Sequence, residues 1–208
     1  MTDSRKERLT HADRDLITRI IPRGARVLDL GCGDGSFLAQ LAAEKDVRGY
    51  GVDIDEAHLL RCIERGLSVA QYDLDRGLAD FPDQSWDYVI LNQTLQVVTN
   101  PDLVIREMLR IGRYGVVGFP NFGYWRLRAQ FLLSGRMPKS DALPFEWFDI
   151  PNIHQLTIRD FRAFCAGKDI SIIREEYYLL GKWRNSPEFR RWANLYATLG
   201  IFVLEREK

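Results

Sequence analysis

Residues 26–37, RVLDLGCGDGSF, pass from an apolar run directly into three alternating glycines, Gly31, Gly33 and Gly35. Glycine allows positive φ and leaves bare backbone that a ligand can approach, and a turn opening a helix presents free N–H groups to it. Asp29 stands two residues before the first glycine. A carboxylate there suits a cationic or amine-bearing ligand and is awkward for a pyrophosphate. Asp53, about twenty residues beyond the glycines, is placed to take both hydroxyls of a ribose, with Ile54 beside it. Asp73 and Leu74 offer an acceptor for an exocyclic amine next to an apolar wall, and Asn92 ends the apolar run WDYVILN. Two other readings remain open. The glycines could make only a tight turn while the aspartates are solvated strand ends. A nicotinamide dinucleotide would share the acid at Asp53, but G-x-G-x-G is tighter than G-x-G-x-x-G and Asp29 disfavours it.

These residues matter together only if the chain brings them to one edge, and the hydrophobic pattern says that it does. Apolar strand-like runs alternate with amphipathic helical ones, the signature of an α/β protein. A charged helix over about 9–21 stops at Pro22-Arg23-Gly24, and a short buried strand 26–30 leads into the glycines. A helix starts at Phe37, followed by strand 49–53, helix 56–65, strand 68–73, strand 86–92, helix 101–111 with proline in its first turn, and strand 114–119. Five βα-type units in series predict a doubly wound, mainly parallel sheet, in which ligands bind outside the carboxyl ends of the strands. Two further β-rich runs, 170–180 and 195–205, joined by a polar loop over 182–190, predict an antiparallel C-terminal hairpin on the sheet edge, giving seven strands.

Between them, residues 119–161 are dense in aromatics and broken by prolines. Trp125, Ala129, Leu132 and Leu133 recur at helical spacing, so a short helix could bury that stripe with Arg126 and Arg128 pointing elsewhere. Phe145, Trp147 and Phe148 exceed what a connecting loop needs, so the segment reads equally as an inserted roof over the cleft or as a protein interface. Thr157-Ile158-Arg159-Asp160 resembles a capping box with Asp in place of Glu, opening a helix to Ala166.

At 208 residues with 46% hydrophobic content, the chain is expected to form a single domain over 1–208. Lys+Arg and Asp+Glu both total 29, so no global field draws it to nucleic acid or an anionic membrane. The N-terminal MTDSRKERLTHADRD is too charged for a secretory core, and no apolar run approaches the roughly 18 residues of a spanning helix, so a cytoplasmic protein is expected. Cys32, Cys62 and Cys165 form no C-x-x-C pair and read as reduced structural thiols, with no metal site.

A ribose, an adenine amine and a methionine-like ammonium together describe S-adenosyl-L-methionine. As a set, VLDLGCGDG, VDID, YDLD and WDYVILNQTLQVV resemble the motifs of class I S-adenosylmethionine-dependent methyltransferases over roughly residues 24–121. That resemblance implies a Rossmann-like fold, with S-adenosylmethionine or S-adenosylhomocysteine held by Asp29, Gly31, Gly33, Gly35, Asp53, Ile54, Asp73, Leu74 and Asn92. FPNFGYWRLRAQ, GRMPKSDALPFEWFDIPNIH, TIRDF and LNQTLQ, with the glycine motif, are similar to the MetW family of methionine biosynthesis proteins over most of the chain. This resemblance implies association with the homoserine O-acyltransferase MetX.

Binding such a cofactor is not catalysis. The N/D-P-P-Y-like motif of base and amide methylation is replaced by Asn92-Gln93-Thr94-Leu95, which with the neutral charge argues against a nucleic-acid substrate. Of the histidines, His11 lies in the charged N-terminal segment and His58 in a surface-type helix, leaving His154 as the candidate base. A lone histidine is more often a hydrogen-bonded loop or core residue. Asp141, Glu146 and Asp149 have no partner identifiable from sequence. Two functions are therefore carried forward: a cofactor-binding module that docks and supports the acyltransferase, and a methyltransferase acting on a small molecule by proximity and alignment.

Overall fold

The computed structural model describes residues 3–144 and 146–206, and Phe145 and the His11 side chain lie outside that description. Helix α1 (Asp3–Ile20) precedes strand β1 (Arg26–Leu30), the glycine turn and α2 (Ser36–Lys45). Then come β2 (Arg48–Asp53), α3 (Glu56–Glu64), β3 (Ser68–Gln71), a 3-10 turn at Leu74–Arg76, β4 (Trp86–Asn92), α4 (Pro101–Ile111) and β5 (Gly112–Pro120). Helices α5 (Trp125–Ser134) and α6 (Ile158–Ala166) follow, and the chain continues through β6 (Ile170–Leu179), β7 (Lys182–Arg184), α7 (Pro187–Tyr196) and β8 (Leu199–Arg206). Among the described residues one eight-stranded sheet runs in the order β3-β2-β1-β4-β5-β8-β6-β7. Strands β1 to β5 are parallel, while β8 is antiparallel to both β5 and β6.

The expected alternation of strands and helices is present, and the departures are local. The first helix begins earlier than residue 9. The third strand ends at Gln71, so Asp73 is not its last residue; its side chain instead accepts the Asp75 N–H and caps the 3-10 turn. The segment expected as a polar loop over 182–190 contains β7, a strand beyond the seven expected, and the first turn of α7, whose cap is Ser186 and whose first residue is Pro187. Helix α7 takes the residues up to Tyr196, so β8 starts at Leu199 rather than 195. The last strand also does not sit outside its partner: it inserts between β5 and β6, pairing Val117 with Phe202 and Tyr177 with Gly200. The helix did carry local signals, Ser186 as cap, Pro187 at its first position and an amphipathic run after them, whereas the insertion of β8 had none.

The central strands β1, β4, β5 and β8 are buried on both faces, and their period of two divides the core. Leu28, Leu30, Val89, Leu91, Val117 and Phe119 join α4 and α6 on one side. Val27, Ile90 and Val116 point the other way, where Leu16 and Ile17 of α1, Ile21 just after it, and Phe37, Leu38 and Leu41 of α2 cover them. The Trp183 indole N–H on β7 donates to the Ala12 carbonyl at 3.0 Å, bracing α1 from the C-terminal side. Asn121, buried just after β5, donates to the Asn194 and Ala197 carbonyls and accepts from Gly123 and Ile158, locking that end of the parallel sheet to α6 and α7. The capping box at Thr157 and Asp160 is formed.

Residues 122–144 build a small core of their own from Tyr124, Leu127 and Leu143, with Phe122 against it. The expected burial of the α5 stripe is overturned: Leu132 and Leu133 are 83% and 85% exposed, and Trp125 is exposed too. Helical spacing puts side chains on one face but does not supply a surface for that face. Here Tyr124 and Leu127 are the inward ones.

Candidate functional site

The glycine turn is forced in two ways. Gly31, Gly33 and Gly35 all have positive φ, at 76°, 56° and 72°. At Gly31 a Cβ would stand 2.6 Å from Thr94 Oγ1, so packing excludes a side chain, whereas at Gly33 a Cβ would meet nothing within 4 Å. Backbone at Gly33 is therefore open to a ligand. Below the turn, the Cys32 and Cys62 sulfurs lie 4.0 Å apart, and the Cys62 thiol donates to the Gly33 carbonyl. Burial pushes the Cys32 thiol well up and that of Cys165 up to about 12, which keeps both protonated and unreactive. On the far side of the turn Asp34 accepts from the Ser36 N–H and hydroxyl and meets the Arg65 guanidinium.

The structure brings three of the expected acids to this edge in different states. Asp53 Oδ2 accepts the Gly33 N–H at 2.8 Å, and Oδ1 accepts the Asp55 N–H at 3.0 Å with His58 Nδ1 at 3.4 Å. Oδ2 keeps a second lone pair, so the carboxylate is aimed and still able to receive a hydroxyl. The surface-type assignment of His58 thus missed its contact with a site residue. Asp29 is buried, and that burial pushes its carboxyl up to about 7, with Arg14 pulling it down and Asp53 adding to the rise. Asp73 holds its cap and pairs with Arg76, with Leu74 buried behind it; Ile54 is 64% exposed.

At the end of β4, Asn92 Nδ2 donates to Asp13 Oδ2 at 3.1 Å, and Gln93 Nε2 reaches the same oxygen at 3.3 Å. Asn92 Oδ1 is buried without a partner. Gln93 has a φ of 59°, uncommon for a residue with a side chain, and is held there by its N–H to the Gly118 carbonyl. Gln96 donates to Gln93 Oε1, and its carbonyl accepts from Ile153 and His154, tying residues 153–154 to this loop. Next to Asp13, Arg14 donates to the Ser36 hydroxyl at 3.0 Å. Sequence reasoning missed Asp13, Arg14 and Gln93. The available signal was that Asp13 precedes Leu16 and Ile17 by three and four residues, which places an acid on the apolar face of α1.

The remaining candidates lie elsewhere. His154 lines a small apolar pocket of about 180 Å³ with Leu95, Pro101, Ile105 and Phe164, and its buried Nε2 has no partner. Asp141 lines a cleft of about 610 Å³ between α5 and the β6–β7 turn, together with Arg126, Gln130, Tyr178 and Thr198. Glu146 pairs with Lys139, and Asp149 accepts the Glu146 N–H. Among the described residues, no group of three or more His, Cys, Asp or Glu could hold a metal ion, and no helix is long and apolar enough to cross a membrane.

Comparison with known proteins follows the same lines. A solved S-adenosylmethionine-dependent methyltransferase from Thermotoga maritima, titled a possible histamine N-methyltransferase, superposes with a TM-score of 0.70. The match covers 97% of this chain and 91% of that one at 14% identity, which establishes the fold: an α/β, Rossmann-like class I methyltransferase architecture with antiparallel C-terminal strands. A ubiquinone biosynthesis O-methyltransferase of Pseudomonas fluorescens is 32% identical over 102 residues, 47% of this chain and 44% of its own. The bifunctional methionine biosynthesis protein MetXA/MetW of Rhodopirellula baltica is 39% identical over 211 residues, 95% of this chain. The chain spans 33% of that relative and under half of the O-methyltransferase. The model of the family described as methionine biosynthesis protein MetW matches residues 11–204, from the middle of α1 into β8 and including the α5 segment, and the chain therefore belongs to the MetW family.

Proposed function

We propose that this protein is an S-adenosylmethionine-binding, methyltransferase-like module of methionine biosynthesis that associates with a homoserine O-acyltransferase of the MetX kind and supports its activity. What carries the partnership is the R. baltica relative, whose name joins MetXA and MetW in one protein and whose similarity covers 95% of this chain. In this reading the chain is one domain of the cytoplasm, with residues 119–161 inserted as lid and interface.

The strand-end residues fit the ligand chemically. Gly33 leaves open backbone beside an aimed Asp53, which suits a ribose. The buried acid of Asp29 suits an ammonium, and Asn92 Oδ1 is a buried acceptor in want of a donor. Gly31 and Gly35 shape the turn, Ile54 and Leu74 supply apolar contact, and Asp73 keeps lone pairs for an adenine amine. When bound, the group would supply an activated methyl. His154, in its separate pocket, is not assigned to receive a proton.

The α5 segment supports docking. Residues 125–140 contain Arg126, Arg128, Arg136 and Lys139 with no acid, and they expose Trp125, Phe131, Leu132, Leu133 and Met137. Surface of that kind suits an apolar partner face with an acidic rim. The test is co-elution of the two purified proteins, with acyltransferase rates measured with and without this chain. Equal rates and separate elution would sink the reading. S-adenosylhomocysteine formed at enzymatic rates from pathway metabolites would favour the catalytic one.

A further inference from the structure

A second hollow opens on the carboxyl edge of the sheet, away from the proposed cofactor residues. The cleft between α5 and the β6–β7 turn has a volume of about 610 Å³, within the range of small-molecule sites. Thr198, one of its lining residues, donates its N–H and hydroxyl to the Tyr178 carbonyl and accepts the Asn121 N–H, which ties the cleft to the end of β5. Strand β8 begins at the next residue and stands three strands from β1, about 14 Å at the usual strand spacing. None of Asp29, Asp53, Asp73 and Asn92 lines the cleft. Its walls are stitched in place. Ser140 and Leu143 exchange two N–H···O bonds of 3.0 Å across a tight turn, Leu143 is buried, and Leu179 pairs with Lys182 across the β6–β7 turn.

We infer that this cleft is a second ligand site, taking a small organic carboxylate with an apolar body. Its lining offers unmet donors. Arg126 has no acid within ion-pair distance among the described residues, while Lys139 is held by Glu146. Gln130 accepts the Lys139 N–H through Oε1 at 2.9 Å, which leaves its amide NH2 to donate. Tyr124 is 6% exposed and packs with Leu127 and Leu143, yet its hydroxyl, like that of Ser140, has no hydrogen-bond partner among the described residues. Free donors around an arginine suit an oxyanion, and the guanidinium fork matches a carboxylate. Arg126 and Lys139 against Asp141 leave the lining with an excess of one positive charge, which suits a monoanion rather than a phosphate dianion. The apolar body is called for by Ala142, Tyr178 and Leu180. Leu180 is 81% exposed at a φ of 49°, in a two-residue turn whose positions usually fall to asparagine, aspartate or glycine. Neither burial nor backbone preference accounts for leucine there, and a ligand's apolar body against it does. Such a ligand depends on neither the cofactor nor the partner reading.

The probe is 2-naphthoate, titrated into the full chain and followed by amide NMR, with neutral 2-naphthylmethanol and 2-naphthyl phosphate as its comparisons. Naphthoate is expected to shift the amides of Ser140, Gly181 and Thr198, with or without saturating S-adenosylmethionine, and to bind more tightly than either comparison. Arg126→Gln should weaken naphthoate by about tenfold, the scale of one charge-assisted hydrogen bond. Its amide spectrum away from the cleft should stay unchanged, which shows that the variant is folded. Leu180→Asn should weaken naphthoate by about fivefold, the scale of one partly covered leucine, while the urea midpoint rises as the turn is relieved. No shift at those three amides, equal binding of the alcohol, or full affinity in Arg126→Gln overturns the assignment. So do shifts confined to residues 31–35 or to Leu132 and Leu133, and tighter binding of the phosphate overturns the carboxylate. Each of these leaves the cofactor and docking readings in place.

Discussion

Replacing Asp29 with asparagine is expected to stabilise the ligand-free protein at pH 8 while disabling the site. The carboxyl's ordinary value of 3.8 is raised to about 7 by burial. Between those two values the folded state holds a proton that the unfolded state has released, so this group's contribution to stability falls as pH rises from about 4 to 7. Above 7 the folded protein carries the full cost of a buried charge. A rise of about three units is worth about 4 kcal/mol at 1.36 kcal/mol per unit. Asparagine has nearly the same shape and no charge to desolvate, so it removes that cost. The difference between variant and wild type should grow from near zero at pH 4 toward that figure at pH 8, reduced by any hydrogen bond the amide cannot make. Urea titrations of both proteins at pH 5, 6.5 and 8 measure it. Parallel stability curves across that range would refute the buried, high-pKa acid. In calorimetry, wild-type affinity for S-adenosylmethionine should rise with pH through about 7 as Asp29 ionises to meet the ammonium, and the variant should lack that rise.

The two glycines should part company: Gly31→Ala meets Thr94 at 2.6 Å as well as an unfavourable φ and should cost well above 2 kcal/mol, whereas Gly33→Ala pays about 1–2 kcal/mol for φ alone yet obstructs the ligand, separable by denaturation and calorimetry. Asn121→Ala strands two carbonyls and two N–H groups and should lose about 3–5 kcal/mol, with a matching fall in urea midpoint. The double change Leu132→Asp with Leu133→Asp, at exposed positions, should shift stability by less than about 1 kcal/mol but abolish co-elution with the acyltransferase.

Much of this protein was legible in local pattern. Short apolar runs in the strands, helical spacing between them and a glycine run after the first strand were enough for a doubly wound sheet with Asp29, Asp53 and Asn92 at its carboxyl edge. Those features are readable because short-range sterics create them: strand alternation, positive φ at glycine, caps such as Thr157. Tertiary structure alone decided three things. It inserted β8 between β5 and β6, since strand order depends on pairing across many residues. It left the α5 stripe in solvent, since amphipathic spacing sets a direction and not a partner. It also carried Asp13 from a charged helix to the end of β4, 79 residues away in sequence, where two amides hold it and burial raises its pKa. Contacts of that span are settled by packing free energy, which no local window of the sequence contains.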